Sequence, residues 1–363
     1  MKKNLLALLL WIVVFGVESC SKKLCYRYEI SEIDIDSVTC EVLKGTLLPL
    51  NMTDVDAFYC IDSLLLIHRT AYFLYPYEVY NKQTFDSITG FGRKGRARNE
   101  FLSNPVNYTK QTISRNGDVI IPLMDGSICK ELNFNKTMET RFPVIEGTRE
   151  GVHYYSGSAV LYGNDYKKTF SFIDGHGDDM YDGAETLPRF IYTDEKENRK
   201  EFCVYSRYPD NPAGVEEIHS FYSGLLLKRP GEDIVAQPLN RMSYVLYYDL
   251  DKRKYHAVHV RGAKTFDDGI PSDEQELMIR SFLDDGVVTK DFLLVVYYGN
   301  DIIKMGKTDP DYRGRILMLD WDGNLIKTYI LHNWVNKFAF DSTNNVLYGA
   351  NPMTGELFSF DLN

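Results

Sequence analysis

Three groups of residues have types and spacings that could carry chemistry. The first is the acidic stretch Asp174-Gly-His176-Gly-Asp178-Asp179-Met-Tyr-Asp182-Gly-Ala-Glu185. Hard cations such as Ca2+ take about six to eight oxygen ligands, which carboxylates spaced along one loop can supply. Asp174, Asp178, Asp182 and Glu185 are spaced as the first, fifth, ninth and twelfth positions of an EF-hand-length loop, and are the candidate metal ligands. Against this, His176 is a poor calcium ligand, Asp179 stands where the EF-hand turn needs glycine, and no helical periodicity flanks the stretch. The competing reading is a polar loop between strands. The second group is Arg93, Lys94, Arg96 and Arg98. Guanidinium groups fork carboxylates and phosphates, so this cluster is a candidate site for a phosphate, a sulfate, a uronic acid or an acidic partner. It competes with a plain solvated loop, and it lacks the G-K-[ST] ending of a nucleotide-binding P-loop. The third is His256-Ala-Val-His259. It lies in a strand-like run, where residues three apart point to opposite faces and cannot share an ion. No G-x-S-x-G elbow occurs, and spacing alone nominates no catalytic triad.

The N-terminus reads as an address. Met1-Lys2-Lys3 is a basic start, and the apolar run Leu5 to Val17 has signal-peptide length, short of the ~20 residues of a spanning helix. It ends in Val17-Glu18-Ser19-Cys20, which resembles a bacterial lipobox with Cys20 as the lipid attachment site. On that reading residues 1–19 are a signal peptide, 20–38 an anchor and tether, and 39–363 the folded domain. An ordinary secretory signal with a chance cysteine is the alternative. The lipid would tether the domain to a membrane without making it spanning. The basic Ser21-Lys22-Lys23 after the anchor favours an outer-membrane location facing the periplasm.

Composition narrows the rest. Net charge is −10 over 363 residues, which excludes a nucleic-acid partner of the usual basic kind. Aromatic residues reach 13%, with 26 tyrosines, and tyrosine favours pleated surfaces. The cysteines form no C-x-x-C, which removes zinc-ribbon and redox motifs, and Cys25 with Cys40 is the one pair close enough to entertain as a disulfide.

These residues need a scaffold, and the scaffold repeats. An alternating apolar strand ends in Asp or Asn, a turn follows, and a second strand returns. The unit appears at Glu78–Asn81, Leu132–Asn135, Phe170–Asp174, Val245–Asp249, Ile316–Asp320 and Leu357–Asp361. A small antiparallel sheet cannot bury both faces alone, but radial stacking buries them, so the expected fold is an all-β, six-bladed β-propeller. The last unit lacks a return strand, and Thr39 to Leu50 is strand-like and unassigned. The ring is therefore expected to be closed by that N-terminal strand. Long insertions are expected in blades four and five, around Asn198–Pro230 and Lys264–Asp285, and one helix over Ser272–Leu283. Two β-sandwiches or a seven-bladed ring are the alternatives.

After the first unit comes Gly90-Phe91-Gly92-Arg93-Lys94-Gly95-Arg96-Ala97-Arg98-Asn99-Glu100-Phe101. This resembles the G-x-G-x-G-P-G-E-F loop of the TolB-like six-bladed propeller lipoproteins of Gram-negative anaerobes. Gly92, Gly95, Glu100 and Phe101 match, while Ala97-Arg98-Asn99 replaces Gly-Pro-Gly. The resemblance extends to the lipobox, the preceding strand pair and the closing unit. It implies a propeller and a lipid anchor more than an activity. The expected function is a binding or protein-interaction module with an envelope protein or glycan as partner and no firm cofactor. The alternative is a metal-dependent propeller hydrolase or lactonase-like enzyme, which needs several carboxylates or histidines converging on one ion. If residues 174–185 hold Ca2+, the thermal midpoint should rise by a few degrees in Ca2+ over EDTA. Binding at about 100 times the dissociation constant adds ~2.7 kcal/mol, and Asp178→Asn should remove the rise.

Overall fold

The computed structural model describes residues 29–70, 74–107, 109–126, 128–150, 159–163, 168–173, 189–194, 196, 198–203, 224–252, 254–263, 265, 281–299, 314–351 and 353–362. The expected signal peptide, Cys20 and the acidic stretch from Asp174 to Glu185 lie outside these residues.

Six sheets of the expected kind are present, each built on four antiparallel strands that run from the axis outward, in chain order in blades one to five. Blade one runs Val55–Ile61, Leu64–Arg69, Tyr77–Asn81 and Ser87–Phe91. Blades two to five run from Ile113 to Glu150, Ala159 to Cys203, Leu227 to Val260 and Phe282 to Leu331. Blade six takes Lys337–Asp341, Val346–Ala350 and Glu356–Asp361 from the C-terminus, and its outer strand is β3 (Thr46–Asn51). The N-terminal closure expected over Thr39–Leu50 is therefore the closure observed, with Thr46 opposite Ser359 and Leu47 opposite Phe358.

The core lies between blades rather than within one. Ala57, Leu66 and Val79 of blade one pack against Ile121, Leu123 and Leu132 of blade two. Val245 and Val258 of blade four meet Leu293 and Leu317 of blade five. Phe58 and Leu65 of blade one meet Ala339, Tyr348 and Leu357 of blade six, with Leu48 of β3 in the same cluster. Each sheet is apolar on both faces, so radial stacking is what removes that surface from water.

The strand-ending Asp or Asn has a specific task. It accepts backbone N–H bonds from the turn that follows, as short polar side chains do at tight turns. Asn81 Oδ1 accepts from Gln83 and Thr84, at 2.8 and 3.0 Å. Asp249 Oδ1 accepts from Lys252 at 2.9 Å. Asp320 Oδ1 accepts from Asp322 and Asn324 at 3.0 and 2.7 Å, and the turn carries Gly323 at φ +85°.

Two of the six repeat markers are corrected. In blade three the third strand is Arg189–Thr193, and its capping residue is Asp194, which accepts from Lys196 and Asn198 at 2.9 Å each. Phe170–Ile173 belongs to the second strand, whose apolar alternation looks the same in sequence. In blade two the strand ends at Asn133, which caps a short helix, α1 (Phe134–Thr140), by accepting from the Lys136 N–H at 2.9 Å. The expected helix over Ser272–Leu283 is also corrected at its end. Phe282 and Leu283 open the inner strand of blade five, and residues 272–280 lie outside the described residues. The two expected insertions, Asn198–Pro230 and Lys264–Asp285, fall where one blade passes to the next: Arg199–Cys203 is the outer strand of blade three, Leu227–Lys228 the inner strand of blade four, and Phe282–Val288 the inner strand of blade five, while residues 204–223 and 266–280 lie outside the described residues.

Two further strands precede β3. β1 (Glu29–Ile33) pairs in parallel with His256–Val260 on the outer edge of blade four. β2 (Cys40–Leu43) pairs in parallel with Thr328–Leu331 on the outer edge of blade five. β1 lies within the segment expected as a tether, 20–38. Its side chains are mostly exposed, so backbone pairing and charge hold it. Asp34 meets Arg261 at 3.0 Å, Asp36 meets Arg315 at 2.5 Å, and Glu41 of β2 meets Lys327 at 2.6 Å. Covering an outer strand with a charged one blunts an edge that would otherwise recruit another chain. Cys40, Cys60 and Cys129 are free thiols.

β3 closes the ring through few buried side chains, and Leu48, 7% exposed, is the largest lever among them. Leu48→Ala should cost about 3 kcal/mol by urea unfolding, within the range for large-to-small core changes. An exposed change on the same strand, Leu47→Ser, should stay within about 0.5 kcal/mol.

Candidate functional site

Inner strands of the blades surround a cavity of about 320 Å3 on the ring axis. Its wall includes Tyr59 and Cys60 of blade one, Lys110 to Ile113 leading into blade two, Lys228 of blade four, Val287 of blade five and Ala339 of blade six. The volume is at the low end of small-molecule pockets, about 300–1,000 Å3.

Lys110 dominates this space. Its ammonium pairs with Asp285 of blade five, directly across the ring from blade two, and donates to the Phe338 carbonyl of blade six at 2.8 Å. Asp285 is 1% exposed, and its oxygens also accept the Gly286 N–H at 2.7 Å and the Phe338 N–H at 2.8 Å. The lysine therefore works as a spoke. Its backbone sits in the left-handed region at φ +52°, a strain of about 1 kcal/mol or more that the surrounding contacts must offset. Burial pulls the ammonium below the ordinary lysine value, and the Asp285 carboxylate opposes that pull.

A second charged group lies beside it. His68, fully buried and stacked on Tyr77 at 4.5 Å, has Nδ1 at 3.2 Å from Asp56 Oδ2. The Lys337 ammonium is 3.7 Å from the other Asp56 oxygen. The hydrogen bond with His68 holds the Asp56 carboxyl below the usual carboxylate range, against the opposing effect of burial. Tyr59 carries a buried hydroxyl with no hydrogen-bond partner among the described residues, and burial pushes its ionisation well above the ordinary tyrosine value. Toward blades three and four, Asp233 joins Lys168 at 2.7 Å and Lys228 at 3.2 Å. These charges answer one another: each carboxylate and ammonium already has its counter-ion inside the ring. Among the described residues no three His, Cys, Asp or Glu side chains converge as a metal site.

The basic loop is built differently. It joins the outer strand of blade one to the inner strand of blade two. The Gly95 N–H donates to the Phe101 carbonyl at 2.9 Å, and the Phe101 N–H donates to the Arg93 carbonyl at 3.1 Å. Glu100 folds back under the loop, and its Oε2 accepts the Ala97 N–H at 3.0 Å. A Cβ at Gly95 would sit 1.8 Å from that same oxygen, so a larger residue there would displace the Glu100 carboxylate from its place under the loop. Phe101 is fully buried, with the Lys130 ammonium 4.8 Å from its ring centroid and donating to the Glu100 carbonyl at 2.5 Å. Asp125 accepts the next two backbone N–H groups, of Leu102 and Ser103, at 2.9 and 2.8 Å. Ala97, Arg98 and Asn99 all keep negative φ, so the turn closes without the Gly-Pro-Gly of the resembled loop. Arg93, Lys94, Arg96 and Arg98 are all exposed. None of the four forms an ion pair with the described residues.

The four basic residues singled out in sequence thus come together on one anchored loop. His256 and His259 lie three apart on the fourth strand of blade four, His256 stacked on Tyr247 and His259 tilted against Tyr244, and they do not form a pair. Lys110, Asp285, Asp56 and His68 escaped sequence reading, because they are far apart in the chain and carry no motif. The lone lysine in Asn107-Tyr-Thr-Lys110, itself the left-handed residue, gave no usable signal.

No family model matches the chain, and no curated protein matches it. Solved structures do. A protein of Bacteroides fragilis described as exported aligns at 14% identity over 92% of this chain and 99% of its own, with a TM-score of 0.53. A member of the DUF4221 family from Bacteroides vulgatus aligns at 11% identity over 90% of this chain and 97% of its own, also at 0.53. At these identities the likeness establishes the propeller fold.

Removing the spoke should be expensive. Lys110→Met leaves Asp285 buried without its counter-ion, a change that typically costs about 3–5 kcal/mol. Urea unfolding should show that loss, and a change below about 1 kcal/mol would mean the pair holds nothing together.

Proposed function

We propose that the chain is a lipid-anchored binding module of the bacterial cell envelope, a TolB-like propeller that recognises an acidic partner through Arg93, Lys94, Arg96 and Arg98. One observation carries the reading. A protein of net charge −10 holds four exposed, unpaired cations on a loop whose stem is locked by hydrogen bonds and a buried phenylalanine. Pre-organised cations bind anions at a lower entropic cost than flexible ones. The axial charges, by contrast, are consumed in holding the blades together. The lipobox ending at Cys20 supports attachment to a membrane, and the exported Bacteroides neighbour supports a place outside the cytoplasm. Attachment at the outer membrane, facing the periplasm, is the location that fits the basic residues after Cys20.

The test is retention on a polyanion matrix such as heparin, with the lipidated chain in detergent. The parent should be retained at low salt despite its acidity, and elute as salt screens the contacts. Reversal of the four cations to glutamate should abolish retention while leaving the thermal midpoint within a few degrees. Flow-through of the parent at low salt would overturn the reading.

A further inference from the structure

We propose that the face carrying the basic loop docks on an anionic lipid surface. The proposal deepens the reading of Arg93, Lys94, Arg96 and Arg98 as an anion-contacting site and rests on it.

Strand direction alternates through each blade. The connections from second to third strand, and from an outer strand to the next inner one, therefore emerge on one face of the ring. That face carries residues 74–76 of blade one, the basic loop, and residues 353–355 of blade six, which adjoins blade one. Large apolar side chains stand exposed there: Leu74 at 63%, Leu102 at 63%, Met353 at 78% and Tyr75 at 39%. Two of them are tied to the basic loop. Tyr75 covers the approach strand so closely that a Cβ at Gly90 would lie 2.8 Å from its own Cβ. Leu102 directly follows Phe101, whose backbone pairs with Lys94 and Gly95.

Apolar tips beside lysine and arginine suit an interface where carbon meets hydrocarbon and the cations reach phosphates. The apolar groups sit on the connections between strands, beside the cations. Charge then sets the orientation. On a protein of net charge −10, an anionic surface repels the molecule as a whole and attracts the face where cations are unpaired.

The experiment uses the full lipidated chain reconstituted in vesicles of phosphatidylcholine alone, or of phosphatidylcholine with phosphatidylglycerol. Leu102→Trp and Met353→Trp are separate reporters at exposed positions, read by quenching from brominated acyl chains against the parent background. Docking predicts quenching of both reporters that is severalfold stronger with phosphatidylglycerol, and lost when the four cations are reversed to glutamate. Equal quenching in both vesicles, or none in either, overturns the proposal. Retention on heparin without quenching would leave the anion site standing and overturn only the membrane. A cross-link from the loop to an acidic envelope protein in cells, without quenching in vesicles, would assign the face to a protein and likewise overturn it.

Discussion

Each blade of this ring is apolar on both faces, so no blade can finish folding until its neighbours on both sides are in place. That constraint explains the closure. Blade six is assembled from both ends of the chain, with β3 as its outer strand. The seam between blades six and one is held by Leu48, Phe58, Leu65 and Leu357 in one apolar cluster. It is also held by charge: the Lys82 ammonium of blade one lies 2.5 Å from Asp341 of blade six and donates to the Asp62 carbonyl at 2.7 Å. Both partners are buried, so the pair specifies register at the seam as much as it adds stability.

The same constraint reaches the axis. A channel lined by inner strands brings backbone edges and polar groups together away from bulk solvent, and each must find a partner. Lys110 and Asp285 solve this across the ring, and Asp56, His68 and Lys337 solve it beside them. A carboxylate that already holds an ammonium and two backbone N–H groups has little capacity left for a ligand. The axial charges are thereby committed to structure, whereas on the loops side chains can be left unpaired at little cost.

The fold was largely legible because its signals are local. Alternating apolar strands, Asp or Asn at strand ends and an unassigned N-terminal strand are enough to count blades and close the ring. Blade three shows where this stops. Phe170-Ser-Phe-Ile-Asp174 and Phe190-Ile-Tyr-Thr-Asp194 have nearly the same pattern, and only the bonds from Lys196 and Asn198 to Asp194 separate a third strand from a second. α1 was hidden for a similar reason: Asn133 and Asn135 both fit a strand-ending marker, and the cap that starts the helix is a matter of which amide points back. β1 was read as tether because it is polar, and a strand held by its backbone edge leaves no apolar alternation to find, while β2 lay in the strand-like Thr39–Leu50 but was not separated there from β3. The basic loop was legible as composition, whereas the spoke was not, since ion pairs between blades obey no spacing rule.

The charge distribution links these features. Glu32, Asp34, Asp36 and Glu41 of the N-terminal segment lie against Arg261, Arg315 and Lys327 on blades four and five. Each exposed pair contributes about 0–1 kcal/mol, so their weight is less in stability than in neutralising the cations of that side. Across the ring, the cations of residues 93–98 have no such cover, and Glu100, the one acid within the loop, is turned inward to the Ala97 amide. A loop that spends its carboxylate on its own backbone while leaving four cations in water keeps its positive field outward. That field survives on an acidic protein because it is local: at physiological salt the screening length is about 8 Å, short of the distance across a ring of blades. The acidic remainder therefore does not cancel the loop at contact range, and an approaching anion meets the cations before it meets the net charge.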